Sequence, residues 1–215
     1  MQTKYELNPD FLQLGLVATE ISTVAGDHRQ TGRLLLASAA NGPVPDRASL
    51  IGYLQNSGFI GPLLGDLEGC SFQVGDSFLQ LVTFMGCSPH IVLEPPPHGG
   101  SFCYVRIDGP WPEPLLRYGR NTNAPRCCSC RNRINDWRNQ LPTWLEKPNA
   151  MRVECAQCGH RQSPLNLSWR RDGGFGRLFI VVEDIFPGEA IPVPTLISGL
   201  TGVSNNSWYY FYVRD

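Results

Sequence analysis

Several familiar signals are missing from this chain, and each absence removes a class of function. No window of its 215 residues approaches eighteen consecutive apolar positions, the length a membrane-spanning helix needs, so no membrane role is expected. The opening Met1-Gln2-Thr3-Lys4-Tyr5-Glu6 has no basic stretch leading into an apolar run, which predicts no secretory leader and a cytoplasmic protein. There is no Walker-type phosphate loop. Gly173-Gly174-Phe175-Gly176 is glycine-rich but precedes a strand-like stretch instead of opening a helix, so the dinucleotide-binding context fails and a β-turn is expected. Low-complexity tracts and coiled-coil heptads are missing too. With 42% hydrophobic residues, the chain can build one good-sized core or two small ones without disulfides.

Eight cysteines in a chain with no export signal point to a reducing compartment, where clustered cysteines mean metal more often than disulfide. Four of them form Cys127-x2-Cys130, a spacer of twenty-four residues, and Cys155-x2-Cys158. Each pair supplies two sulfurs from one tight turn, and two facing turns complete the tetrahedral shell of a structural Zn²⁺. Gly159 directly follows Cys158, where positive φ lets backbone N–H groups face the sulfurs. Iron held by the same sulfurs is the alternative; Arg131, standing where a second glycine would, makes the first turn less rubredoxin-like. Cys128 offers a third sulfur in the first turn, and the two-residue gap assigns Cys127 and Cys130 as ligands. His160 reads as a surface side chain. The stretch from Pro125 to Arg161 resembles zinc-ribbon proteins, with a spacer longer than the commonest one. Cys70, Cys87 and Cys103 lie apart and read as small buried hydrophobes.

Formal net charge is −1, yet charge is unevenly spread. Between Leu115 and Leu178 stand twelve basic and four acidic residues, against six basic and fifteen acidic in the remainder. Eleven of those twelve cations are arginine, whose planar fork suits phosphate and carboxylate. Trp137, Trp144, Trp169 and Phe175 are interleaved with them. Two readings follow. Either the rings stack on unpaired bases while arginines hold the phosphate backbone, or they form the ribbon's own small core and the basic segment docks on the acidic body.

Two stretches are alike. Gly32-Arg33-Leu34-Leu35-Leu36, Pro43-Val44-Pro45 and Leu50-Ile51 are echoed by Gly176-Arg177-Leu178-Phe179-Ile180, Pro192-Val193-Pro194 and Leu196-Ile197 about 145 residues later. Each predicts strand, Pro-rich loop and short helix, with a following strand at Ser77–Phe84 or Ser207–Val213. Coincidence between two ordinary strand-loop-helix stretches is the alternative. His90–Glu94 and Phe102–Ile107 read as a strand pair, Gly109–Asn123 as a linker or irregular arm, and Met151–Glu154 and Leu165–Trp169 as ribbon strands. The expected fold is α+β: a mixed-sheet body with two similar β-α-β half-units and an inserted four-cysteine zinc ribbon. Its divisions fall at 1–114 (first half of the body), 115–172 (ribbon and basic arm) and 173–215 (the second unit).

Catalytic signals are weak. Cys87 and His90 are too close in sequence for a typical thiol-imidazole pair, and Pro89 favours a turn there. His28 and His98 sit in polar loops. The carboxylate pairs Glu183-Asp184 and Asp66-x-Glu68 show no sign of one buried and one solvated member. The expectation is therefore a non-enzymatic protein with a structural Zn²⁺ bound by Cys127, Cys130, Cys155 and Cys158. Its basic aromatic arm would bind an anionic partner through Arg131, Arg133, Arg138, Arg161, Arg170 and Arg171. Nucleic acid is favoured over an acidic protein surface. The alternatives are an assembly or scaffold protein docking on another subunit, and a thiol-dependent redox or transfer enzyme using Cys87.

Overall fold

The computed structural model describes residues 32–65, 70–85 and 91–214. Along the chain run β1 (Gly32–Ser38), α1 (Arg47–Asn56), β2 (Ile60–Leu63), β3 (Ser71–Val74), α2 (Phe78–Leu81), β4 (Val82–Phe84), β5 (Tyr104–Asp108) and β6 (Leu115–Tyr118). Then come α3 (Trp137–Glu146), β7 (Val153–Glu154), β8 (Arg161–Gln162), a 3-10 turn at Pro164–Asn166, β9 (Gly173–Gly176), β10 (Phe179–Ile185), β11 (Ala190–Pro192), α4 (Pro194–Ser204) and β12 (Trp208–Val213). The protein is α+β. No helix among the described residues is long and apolar enough to cross a membrane.

Six strands form one sheet in the order β12-β1-β10-β5-β3-β2. The expected mixed sheet is corrected: every neighbouring pair in it is antiparallel. The reason lies in the crossovers. β10 and β12 are joined through α4 and run parallel, but β1 lies between them, and three strands separate β1 from β2. The strand after α1 therefore goes to the far edge of the sheet, whereas the strand after α4 pairs beside β1. The structure does not confirm two equivalent half-units.

Alternation along the strands gives the sheet two apolar faces. Leu34 and Leu36 of β1 point to the same side as Val105, Ile107, Ile180 and Val182, where Leu50 and Leu54 of α1 and Leu196 and Leu200 of α4 complete the main core. Leu35, Ala37, Phe179, Val181, Phe211 and Val213 face the other way. α1 starts because the Asp46 carboxylate accepts a hydrogen bond from the Ser49 N–H at 2.8 Å. α4 starts on Pro194 and stops where Asn205 turns left-handed at φ 47°.

Behind α4, the Ser204 hydroxyl donates to the Leu200 carbonyl at 2.6 Å and accepts from the Trp208 indole N–H at 2.8 Å, all inside the core. Ser204→Ala is expected to cost about 1–3 kcal/mol, because the buried indole N–H is left without an acceptor. A urea midpoint equal to the parent's would show that the bond contributes nothing.

Several sequence readings shift locally. In Ser77–Phe84 only β4 is extended; the preceding residues form α2 after Ser77. Residues 91–94 form no strand, although Val92 accepts a hydrogen bond from the Cys103 N–H. The expected linker contains β6. The glycine-rich Gly173–Gly176 is itself a strand, β9, paired with β6. A Cβ at Gly174 would meet the Tyr209 hydroxyl and one at Gly176 the Phe179 ring, so glycine lets β9 lie close on the sheet's outward face. His28, Asp66, Glu68, Cys87 and His90 lie outside the described residues.

Candidate metal centre and the arginine surface around it

Two turns of the same shape carry the four cysteines. In the first, the Arg131 N–H donates to the Cys127 carbonyl at 3.0 Å and the Cys127 N–H donates to the Asn132 carbonyl at 2.9 Å. In the second, the Gly159 N–H donates to the Cys155 carbonyl at 2.8 Å and the Cys155 N–H to the His160 carbonyl at 3.0 Å. Both turns close through positive φ, 60° at Arg131 and 68° at Gly159. Arginine thus adopts the left-handed conformation that glycine supplies in the other turn, at some cost in backbone strain. The arginine that made the first turn look unusual nevertheless builds the same turn.

The sulfurs of Cys127, Cys130, Cys155 and Cys158 lie within 4.8 Å of one another, close enough to hold a metal ion. Cys127 and Cys158 are 3.8 Å apart, Cys130 and Cys155 3.6 Å. A tetrahedron of sulfurs at zinc distance has edges of about 3.8 Å, so the donor set fits such an ion. Local dipoles prepare the thiols unequally. The Cys130 and Ser129 backbone N–H groups pull Cys127 down to about 6, and those of Cys158 and Gln157 lower Cys155. At Cys130 the Asn132 N–H also pulls down, but burial and the neighbouring sulfurs push it up to about 12. A cluster that resists full ionisation by itself is what a divalent cation would relieve.

The second turn is anchored by β7, which keeps only Val153–Glu154 of the strand expected at Met151–Glu154, and by β8 at Arg161–Gln162; the strand expected at Leu165–Trp169 is corrected, because that stretch continues the 3-10 turn and touches Arg126 through a single bridge at Ser168. Gln162, buried on β8, accepts from the Cys128 N–H at 3.0 Å and ties the two turns together. Nothing in the sequence marked it. Cys128 itself points outward, 3.5 Å from His160 Nε2. Of the outlying cysteines, Cys103 is fully buried and burial pushes its thiol up to about 12, with Asp184 and Glu183 adding to the effect. Cys70 is half-buried against Arg47.

Beneath the turns Trp137, Leu141 and Trp144 of α3 pack with Trp169, Phe175, Leu116, Ile134 and Cys155 in a second core. This corrects the aromatic part of the expected arm. Trp137, Trp144, Trp169 and Phe175 are each at most 6% exposed, so they cannot stack on bases. They pack edge-on against one another instead, as between Trp137 and Trp169 at 5.2 Å and 83°.

The six candidate arginines are all exposed. Arg161 pairs with Glu154 at 2.9 Å, Arg138 lies over Trp137, and Arg171 lies over Tyr210 and donates to its hydroxyl. Arg131, Arg133 and Arg170 form no ion pair among the described residues. Arg126 sits opposite Arg133 in an isolated bridge and donates to the Arg131 carbonyl at 3.0 Å, which gathers three arginines at the first turn. Between the basic segment and the remainder of the described chain, Arg117–Asp108 is the one ion pair. Among the described residues, the basic segment is therefore not neutralised by docking on the acidic body.

Comparison of the chain with protein families, with curated proteins and with solved structures finds no match. What fold and site define is an α+β protein with a four-cysteine centre fit to hold a metal ion.

Proposed function

We propose that the four cysteines hold a structural Zn²⁺ and that this centre presents an arginine surface to an anionic partner, with nucleic acid favoured. The observation that carries the proposal is the group Arg126, Arg131 and Arg133 at the first turn, which has no acidic partner among the described residues. Like charges set opposite each other destabilise unless something between them is negative. Four protein sulfurs leave no open coordination position, so the ion's role is to hold the turns, and the protein is read as non-enzymatic. Segment 115–172 is the unit that carries this surface.

With the tryptophans buried, contact falls to arginines and the phosphate backbone, without base stacking. Binding to a labelled mixed-sequence duplex should weaken with salt. About four phosphate contacts give a slope of log K against log salt near −3.6, and removing one arginine reduces it by about 0.9. Arg131→Gly, which keeps the positive φ, and Arg133→Ala should each show that reduction. A slope near zero would end the nucleic-acid reading. Burial of the rings also favours a second reading, docking on an acidic protein subunit. Stoichiometric co-purification with a protein, resistant to nuclease and moderate salt, would support it.

A further inference from the structure

One buried amide beside the sulfur cluster is only half used. Gln162, on β8, is 4% exposed and stands opposite Val153 of β7. Its side-chain oxygen accepts from the Cys128 N–H at 3.0 Å, which identifies the two ends of the amide, because a backbone donor needs an oxygen opposite it. The other end, Nε2, is buried and has no hydrogen-bond partner among the described residues. A buried amide N–H that donates to nothing is destabilising, so this position calls for an acceptor.

The acceptor at hand is a sulfur. Cys127 precedes Cys128 in the chain, and its own side chain is 1% exposed, which keeps water from serving in its place. The backbone N–H of Cys130 pulls the Cys127 thiol down most, and the Gln162 side chain adds to that pull, which sets the amide against this sulfur. Cys130 and Cys155 are shifted instead by backbone N–H groups, by burial and by the other cysteines. A neutral thiol is a weak acceptor; a metal-bound sulfur is a full thiolate and accepts a charge-assisted bond. The orphan donor therefore fits the loaded centre better than the empty one. It also falls on the turn that closes through Arg131, where the second turn has glycine.

We propose that, with the metal bound, Gln162 Nε2 donates an N–H···S hydrogen bond to Cys127 Sγ, making Gln162 a positioning residue of the centre. Its oxygen holds the first turn, and its nitrogen holds and tunes the first ligand, as groups behind metal ligands do elsewhere. The inference rests on the reading of the four cysteines as a metal centre.

The test loads the full, nitrogen-labelled chain with the spin-half isotope of cadmium, which takes the same four-sulfur shell. A side-chain N–H that donates to a cadmium-bound sulfur shares a scalar coupling with the metal across the hydrogen bond, whereas an amide held by its oxygen alone does not. That coupling is expected at one of the two Gln162 Nε2 protons, and the same proton should exchange slowly with solvent. Gln162→Met keeps the length of the side chain and removes both ends of the amide. It should bind cadmium about 10–100-fold more weakly than the parent in competition with a chelator. The coupling is read in the parent, so the test stands even where Gln162→Met fails to fold. One equivalent of bound cadmium with no coupling to Gln162, or unchanged affinity in Gln162→Met, would overturn the proposal and leave the metal centre standing. Failure of the parent to bind cadmium would overturn both.

Discussion

Replacing Cys155 by serine is expected to strip the metal and dismantle the second core together. Cys155 is 1% exposed and belongs both to the sulfur cluster and to the group that includes Trp144, Trp169 and Val153. Serine at this position leaves three sulfurs and supplies a hydroxyl that does not ionise near neutral pH, so the tetrahedral shell opens. The two turns are joined mainly by the Gln162 bond and the sulfurs, the short β7–β8 pair closing only the second turn, and small metal-centred units of this kind lose their fold without the ion. Bound zinc should fall from one equivalent to near none. The near-ultraviolet circular dichroism of the packed tryptophans should flatten, and proteolysis should open segment 115–172 while the far-ultraviolet signal of the large sheet persists. A chelator should reproduce these changes in the parent, and added Zn²⁺ should reverse them. Cys128→Ser, at an exposed thiol outside the cluster, should keep its metal. Full metal content with intact tryptophan signals in Cys155→Ser would refute the four-sulfur centre.

The candidate metal ligands were legible because they depend on short-range geometry: a two-residue gap forces two sulfurs onto one turn wherever that turn sits. Arg131 was harder to read. Its residue type argues against left-handed backbone, and only the pattern of its partner turn, Cys155 to Gly159, shows what its position requires. Helix α3 left a trace in Trp137, Leu141 and Trp144 at i, i+4 and i+7, a stripe that fits a helix. Pro142 inside it removes one backbone donor and obscured the pattern. Sheet order was out of reach for a different reason. β1 pairs with β10 and β12, far away in sequence, and a repeat of strand, loop and helix does not say which strands come between.

Whether the tryptophans serve packing or binding is decided by Trp169→Ala, the substitution with the largest expected cost in stability. Trp169 is 6% exposed and touches three rings edge-on: Trp137 at 5.2 Å, Phe175 at 6.3 Å and Trp144 at 6.5 Å. Truncation leaves a cavity among rings that are themselves held from outside by α3, β6 and β9, so little collapse is available. The expected loss is about 3–5 kcal/mol, read from urea unfolding of the metal-loaded protein. Trp169→Phe should be far milder. The indole N–H is buried without a hydrogen-bond partner among the described residues, so phenylalanine forfeits ring area and no bond. If the ring stacked on a base instead, the outcome would invert: stability would hardly change, while single-strand affinity would fall by about 1–3 kcal/mol. Under the packing role, the proposed nucleic-acid binding should keep the parent's salt slope in Trp169→Phe, because the arginines of the first turn stay in place.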